Sequence, residues 1–302
     1  MRTYLYISYK CNCNCFFCAS DETNVIEKDT EFSLDEAKKF LLSSPSRKNL
    51  TISGGEPTIH KDFLEIVKFA KQHFESISLM TNGIRFSDMD YLKATIDAGV
   101  DRISIPFYSP NEDEHNWMVG NPKAYQKVLK GLANVNTLIN ERRFNVQIKL
   151  LLAKFTYKLI PDSIDFIANN FPNIKRVSLY GFHIGSKALQ HKDLCVINYN
   201  ESRPYNDKSV QKFLDYRLCF NVCQIPFCAF SENTIEILLR ENRILYPEDS
   251  FLKRPDRNTH LESSPIYSPK GCDICSLNEY CPKIYGKNAA SFDYGVKPIV
   301  IV

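Results

Sequence analysis

An α/β fold built on parallel strands is predicted by three observations. Short β-rich runs alternate with longer amphipathic stretches from residue 3 to about 185. The alternation is regular enough for about six β–α units, which calls for right-handed helical crossovers. No internal repeat interrupts it. Either a doubly wound sheet or a barrel satisfies this pattern.

The elements follow in order. YLYIS (4–8) reads as a strand, and Ser33 with Glu36 forms a capping box that opens a helix with Leu34, Ala37, Phe40 and Leu41 on one face. NLTIS (49–53) is a strand and LEIVKFAKQHF (64–74) a helix; SISLMTN (76–82) is a strand and YLKATIDAG (91–99) a helix closed by Gly99. RISIPF (102–107), FNVQIKLLL (144–152) and RVSLYGF (176–182) are three further strands, separated by the helical spacings of 124–139 and 163–171. Beyond about residue 190 the alternation stops, prolines and tyrosines increase, and TIEILLRENRILYP (234–247) reads as a hairpin. The expected division is therefore a core at 1–188 and a small, loop-rich extension at 189–302.

A 302-residue chain that is 44% hydrophobic and 24% charged has ordinary globular composition, and a formal charge of +3 is too small to argue for nucleic acid or a membrane surface. The N-terminus has no apolar run of signal-peptide length, and no stretch approaches a membrane span. A cytoplasmic location is expected. There thiols stay reduced, so eleven cysteines point to metal or cluster ligation rather than disulfides. Four lie in 11–18, none in 19–194 and seven between Cys195 and Cys281.

Within CNCNCFFC (11–18), Cys11, Cys15 and Cys18 stand at C-x3-C-x2-C directly after the first strand. Three thiolates can hold three irons of a cubane cluster and leave the fourth for a non-protein ligand. Structural zinc sites usually close with a fourth protein ligand, and none follows nearby. Cys13 falls outside the spacing and reads as a bystander. Directly after the second strand comes Gly54-Gly55-Glu56-Pro57-Thr58. Two glycines permit a close approach of backbone to a ligand, and Glu56 offers a carboxylate to an ammonium group.

In these two motifs and their order the sequence resembles the radical S-adenosylmethionine (radical SAM) enzymes. The resemblance implies a partial (β/α)6 TIM-like barrel and a [4Fe-4S] cluster on Cys11, Cys15 and Cys18. The open iron is expected to bind S-adenosylmethionine, whose reductive cleavage yields a radical that takes a hydrogen atom from substrate. Phe17 matches the aromatic that precedes the last cysteine of such loops. Gly54, Gly55, Glu56 and Pro57 are the expected cofactor cradle. Asn82 in Thr81-Asn82-Gly83, Ser104 on the fourth strand and Lys149 on the fifth occupy positions where relatives contact the cofactor, Lys149 towards its carboxylate.

Cys272, Cys275 and Cys281 form C-x2-C-x5-C, which looks like the auxiliary-cluster extension known as SPASM or twitch. The full pattern needs a further cysteine where Tyr285 stands, so one auxiliary [4Fe-4S] cluster is expected. Cys228 is the chosen fourth ligand, with Cys223 and Cys219 as competitors and zinc as the alternative metal. Cys195 is left without a role. Residues 103–135 loosely resemble a stretch of certain peptide maturases, although Asn116 replaces an aspartate. A ribosomally made peptide is the expected substrate and a small molecule such as a sugar or nucleoside the alternative. A non-catalytic iron–sulfur protein is the third reading. The cluster loop begins at residue 11, so no leader-binding domain is expected before it; a separate recognition protein would then serve. An external electron donor such as flavodoxin or ferredoxin completes the expected partners.

Overall fold

In the computed structural model, residues 2–18, 30–182, 184–245, 250–254, 257–262, 266–285 and 289–300 are described. Strand β1 (Arg2–Tyr6) leads through the cysteine loop to helix α1 (Leu34–Ser43), whose capping box forms as expected on Ser33 and Glu36. There follow β2 (Asn49–Ser53), α2 (Phe63–Lys71), β3 (Ser76–Met80), α3 (Met89–Asp97) and β4 (Arg102–Pro106). After β4 come α4 (Glu112–Val119), α5 (Ala124–Leu138), β5 (Asn145–Leu152), α6 (Ile160–Asn170) and β6 (Arg176–Gly181).

The strands are mostly apolar on the side facing the helices and mostly polar on the other. On β5, Val146, Ile148 and Leu150 are buried against the helices, whereas Gln147 and Lys149 between them face inward and stay partly accessible. That alternation curls the parallel sheet around a polar interior, as a half-barrel requires.

The sheet does not stop at residue 188. Helices α7 (Ser186–Gln190), α8 (Lys192–Cys195) and α9 (Tyr199–Asp215) lead to β7 (Cys219–Cys223), which pairs in parallel with β6. Helix α10 (Glu232–Arg240) then leads to β8 (Ile244–Leu245), parallel to β7. The hairpin expected over 234–247 is thus a helix followed by a two-residue strand. Thr234, Ile235 and Leu238 are buried at helical spacing, so packing overrides the β-branched composition of the run. Two more strands, β9 (Ser250–Arg254) and β10 (Arg257–Glu262), add to the opposite edge: β9 runs parallel to β1 and β10 antiparallel to β9. The order is β10-β9-β1-β2-β3-β4-β5-β6-β7-β8. A separate pair, β11 (Ile266–Tyr267) with β12 (Ile284–Tyr285), frames the last cysteines. None of the eleven cysteines forms a disulfide.

Candidate active site

The cysteine loop lies across the C-terminal ends of the first strands, and backbone contacts fix it there. The Gly55 N–H donates to the Ser8 carbonyl at 2.7 Å and the Glu56 N–H to the Lys10 carbonyl at 2.8 Å. A Cβ on Gly54 would stand 2.3 Å from the Ser8 oxygen, and one on Gly55 would stand 2.2 Å from the Lys10 oxygen. A close approach that the two glycines allow is thus made to the chain's own segment 8–10. From the other side the Asn14 N–H donates to the Val119 carbonyl at 2.8 Å, and Gly120, at φ +60°, caps α4 against Asn14. Lys187 on α7 donates to Asn14 Oδ1 at 2.5 Å.

Glu56 is 1% exposed. Its Oε1 accepts from Thr58 Oγ1 at 2.5 Å, the Thr58 N–H at 3.1 Å and Thr81 Oγ1 at 2.6 Å, and its Oε2 from the Asn82 N–H at 2.7 Å. Burial pushes the carboxyl above its ordinary range, and these donors pull it back. Asn82 Nδ2 reaches Asn12 Oδ1 at 2.6 Å and Cys13 Sγ at 3.7 Å, so the TNG turn, the GGEP turn and the cysteine loop form one hydrogen-bonded assembly. Pro57 opens a short, buried 3-10 turn that carries Thr58.

Cys11 is exposed, and Cys15 and Cys18 are half-buried; the Cys18 N–H closes a turn on the Cys15 carbonyl at 3.2 Å. Three thiols on one short loop are a donor set that can hold three irons of a cubane. Phe17, 4% exposed, points into an aromatic wall, with ring centroids 5.0 Å from Tyr108 and 4.7 Å from Phe155. It anchors the loop rather than lining an open surface. Tyr108, just past β4, was not legible as a site residue. The thiols of Cys15 and Cys18 act on its phenol, and burial foremost keeps its proton on. Phe16 packs 4.8 Å from Trp117, which is 57% exposed at the rim.

Ser104 faces inward on β4, in register with Met80 and Gln147, and its carbonyl accepts from the Thr81 N–H at 3.2 Å. Lys149 also faces inward, but its neighbours belong to neither the cysteine loop nor the GGEP and TNG turns. The ammonium lies 4.5 Å from the centroid of the Tyr180 ring. Burial lowers its pKa to about 8, with Cys223 opposing the shift and Arg2 adding to it.

The second cysteine set converges. Cys228, Cys272, Cys275 and Cys281 line one cavity with Lys283 and Lys297. Arg203 and Asn206 on α9 hold the Cys228 turn by donating to the carbonyls of Cys228 and Ala229, each at 2.9 Å. Burial pushes the Cys228 thiol up to about 12, and the neighbouring thiols of Cys281, Cys272 and Cys275 add to the shift. Lys283 opposes the shift at Cys272. Cys219 and Cys223, the competing candidates, sit on β7 and do not line this cavity. Cys195 is buried at the end of α8 against Ala153 and Phe182. Among the described residues, no three His, Cys, Asp or Glu side chains converge tightly enough for a single ion. No helix among them is long and apolar enough to cross a membrane.

Comparison with known proteins bears on the whole arrangement. A probable GTP 3',8-cyclase of Thermococcus kodakarensis is 26% identical over 144 residues, 47% of this chain and 46% of its own. The chain spans somewhat less than half the length of the first curated relatives it matches. A probable GTP 3',8-cyclase of Methanococcus maripaludis is 34% identical over 264 residues, 82% of each chain. The solved structure of Streptococcus suis SuiB bound to its precursor peptide SuiA has a TM-score of 0.56 at 16% identity, covering 83% of this chain and 57% of that one. The Radical SAM superfamily profile matches residues 5–167, more than half of the chain. On this fold and this match, the chain belongs to the radical SAM superfamily.

Proposed function

We propose that the chain is a two-cluster radical SAM enzyme. Cys11, Cys15 and Cys18 hold the cluster that binds S-adenosylmethionine, and Cys228, Cys272, Cys275 and Cys281 hold a second, fully ligated cluster in the extension. Bound together, cluster and cofactor supply a radical able to remove hydrogen from an unactivated C–H bond. Glu56, with one Oε2 position still free, takes the cofactor's ammonium. Phe17, Tyr108 and Phe155 keep water from the loop.

The observation that carries this reading is the convergence of Cys228, from before α10, on three cysteines more than forty residues later. Four thiols, two ammonium groups and apolar walls suit an anionic thiolate cluster. A cubane takes one thiolate per iron, so four thiols would close it.

For the substrate we propose a ribosomally made peptide. The exposed Trp117 beside Phe16 gives the mouth an apolar rim, and peptide-bound SuiB supports such use of this fold. A nucleotide is the second reading, favoured by the names of the relatives covering 82% of this chain. Both readings keep the electron donor external.

Replacing Cys272, Cys275 and Cys281 together by alanine tests the two-cluster reading. Iron should fall from about eight to about four per chain, and 5′-deoxyadenosine formation without substrate should survive. Wild-type protein with about four irons and stoichiometric zinc would make the extension a zinc-stapled lid.

A further inference from the structure

The interior of the half-barrel has an electrostatic character that the cluster assembly does not use. No strand from β1 to β7 contains an acidic residue. Cations do occupy inward positions, and two of them face each other across the curl: Arg2 on β1 and Lys149 on β5. Neither has an ion-pair partner among the described residues. Lys149 has only the Tyr180 ring face, a weak substitute for an anion.

Three further groups line the same chamber. Thr51, 3% exposed and in register with Tyr4, has a buried hydroxyl with no hydrogen-bond partner. Arg2 Nε is likewise buried and unpartnered. Tyr180 and Cys223, register partners on β6 and β7, are hydrogen-bonded to each other beside Lys149. Buried polar groups are normally satisfied, and leaving one without a partner is costly. Two orphaned donors and two cations without an ion pair among the described residues, on one inward surface, share a single remedy, an anion.

We propose that this chamber is an anion-binding subsite for the substrate. The Arg2 guanidinium, the Lys149 ammonium and the Thr51 hydroxyl receive a carboxylate or phosphate group, while the reacting end of the molecule lies at the strands' C-terminal ends beneath the cysteine loop. The proposal rests on the reading of the chain as a radical SAM enzyme whose substrate enters the barrel. It takes Lys149 away from the cofactor, whose other expected contacts, Ser104 on β4 apart, belong to the loop–GGEP–TNG assembly.

The test is anaerobic equilibrium binding to the reconstituted, SAM-saturated protein, with inorganic pyrophosphate, GTP and a penta-glutamate peptide as probes. At least one probe should bind, and Lys149→Met and Arg2→Gln should each weaken it about tenfold or more, as removal of a charge-assisted hydrogen bond does. Lys149→Arg should recover most of that loss, and circular dichroism should show all variants folded. SAM affinity, measured separately, should change less than about twofold, since removing one charge-assisted hydrogen bond to the cofactor would cost about tenfold. Pyrophosphate and GTP binding assigns the anion to phosphate; binding of the glutamate peptide alone assigns it to carboxylate. If none of the probes binds, or if Lys149→Met lowers SAM affinity tenfold, the subsite is refuted. Failure of the two-cluster reading shows instead in the iron count, which these variants leave untouched.

Discussion

The Glu56 carboxylate accepts four hydrogen bonds, three on Oε1 and one on Oε2. Glu56→Gln turns one acceptor into a donor that meets donors already in place, so it should cost about 1.5–3 kcal/mol. Two readouts follow: a lower melting temperature, and SAM binding weakened about tenfold to a hundredfold. Unchanged SAM affinity in a destabilised variant would restrict Glu56 to holding Thr81 and Asn82. The cysteines separate similarly. Cys18→Ala should abolish SAM cleavage because three thiolates are the minimum for the open cluster. Cys13→Ala should retain it, since Cys13 lies outside the ligand spacing and its hydrogen bonds run to the Cys11 sulfur and Asn82. Loss of both iron and cleavage in the Cys13 variant would mean a different register of ligands. At this scale the sequence made the thiols and the carboxylate visible, because their chemistry is carried by residue type and spacing. It hid their partners. Asn12, Thr58 and Thr81 are ordinary polar residues until folding brings them within hydrogen-bond reach of the carboxylate and the TNG turn.

Helix α4 supports the loop through Gly120 and carries His115, 1% exposed among the rings of Phe107, Tyr108 and Tyr125. Burial lowers the His115 pKa to about 4, against a smaller opposing hydrogen bond to the Ser109 backbone. The unfolded chain then binds the proton that the folded chain refuses. Stability is complete above about pH 6.5 and is lost as pH falls towards 4. Between pH 7 and pH 5 the loss should be about 2 kcal/mol. Denaturant midpoints of wild type and His115→Gln should converge at the lower pH; parallel curves would mean that the imidazole is not the titrating group. Gly55→Ala tests the seam between β2 and the loop. A methyl 2.2 Å from the Lys10 oxygen must push the loop outward. The variant should lose about 1–3 kcal/mol and bind less barrel iron, read by iron assay and thermal melt. Strands β1 to β6 were legible because each alternates apolar and polar residues over at least five positions. Strand β7 was not, since cysteines at both of its ends resembled ligands. Helix α9 was masked by Pro204 inside it, and α10 by its isoleucines.

At the scale of the whole molecule, the sequence made the half-barrel legible but not how its edges are finished. A parallel pairing between residues 2–5 and 250–253 leaves no local trace in either segment. The convergence of Cys228 with the three late cysteines was readable only as one choice among Cys228, Cys223 and Cys219, because spacing alone does not single out a fourth thiol. The placement of β9 carries a further consequence, for the birth of the protein. Strand β1 leaves the ribosome well ahead of the neighbour that covers its outer edge, which is made about 248 residues later. At about 5–20 residues per second, that edge stays open for roughly 12–50 seconds of synthesis. During this interval β1 presents unpaired N–H and C=O groups to any passing chain, the condition under which nascent sheets aggregate. The segment that relieves it leads directly into the late cysteines, so the sealing of β1 and the completion of the late thiol set follow one another in synthesis.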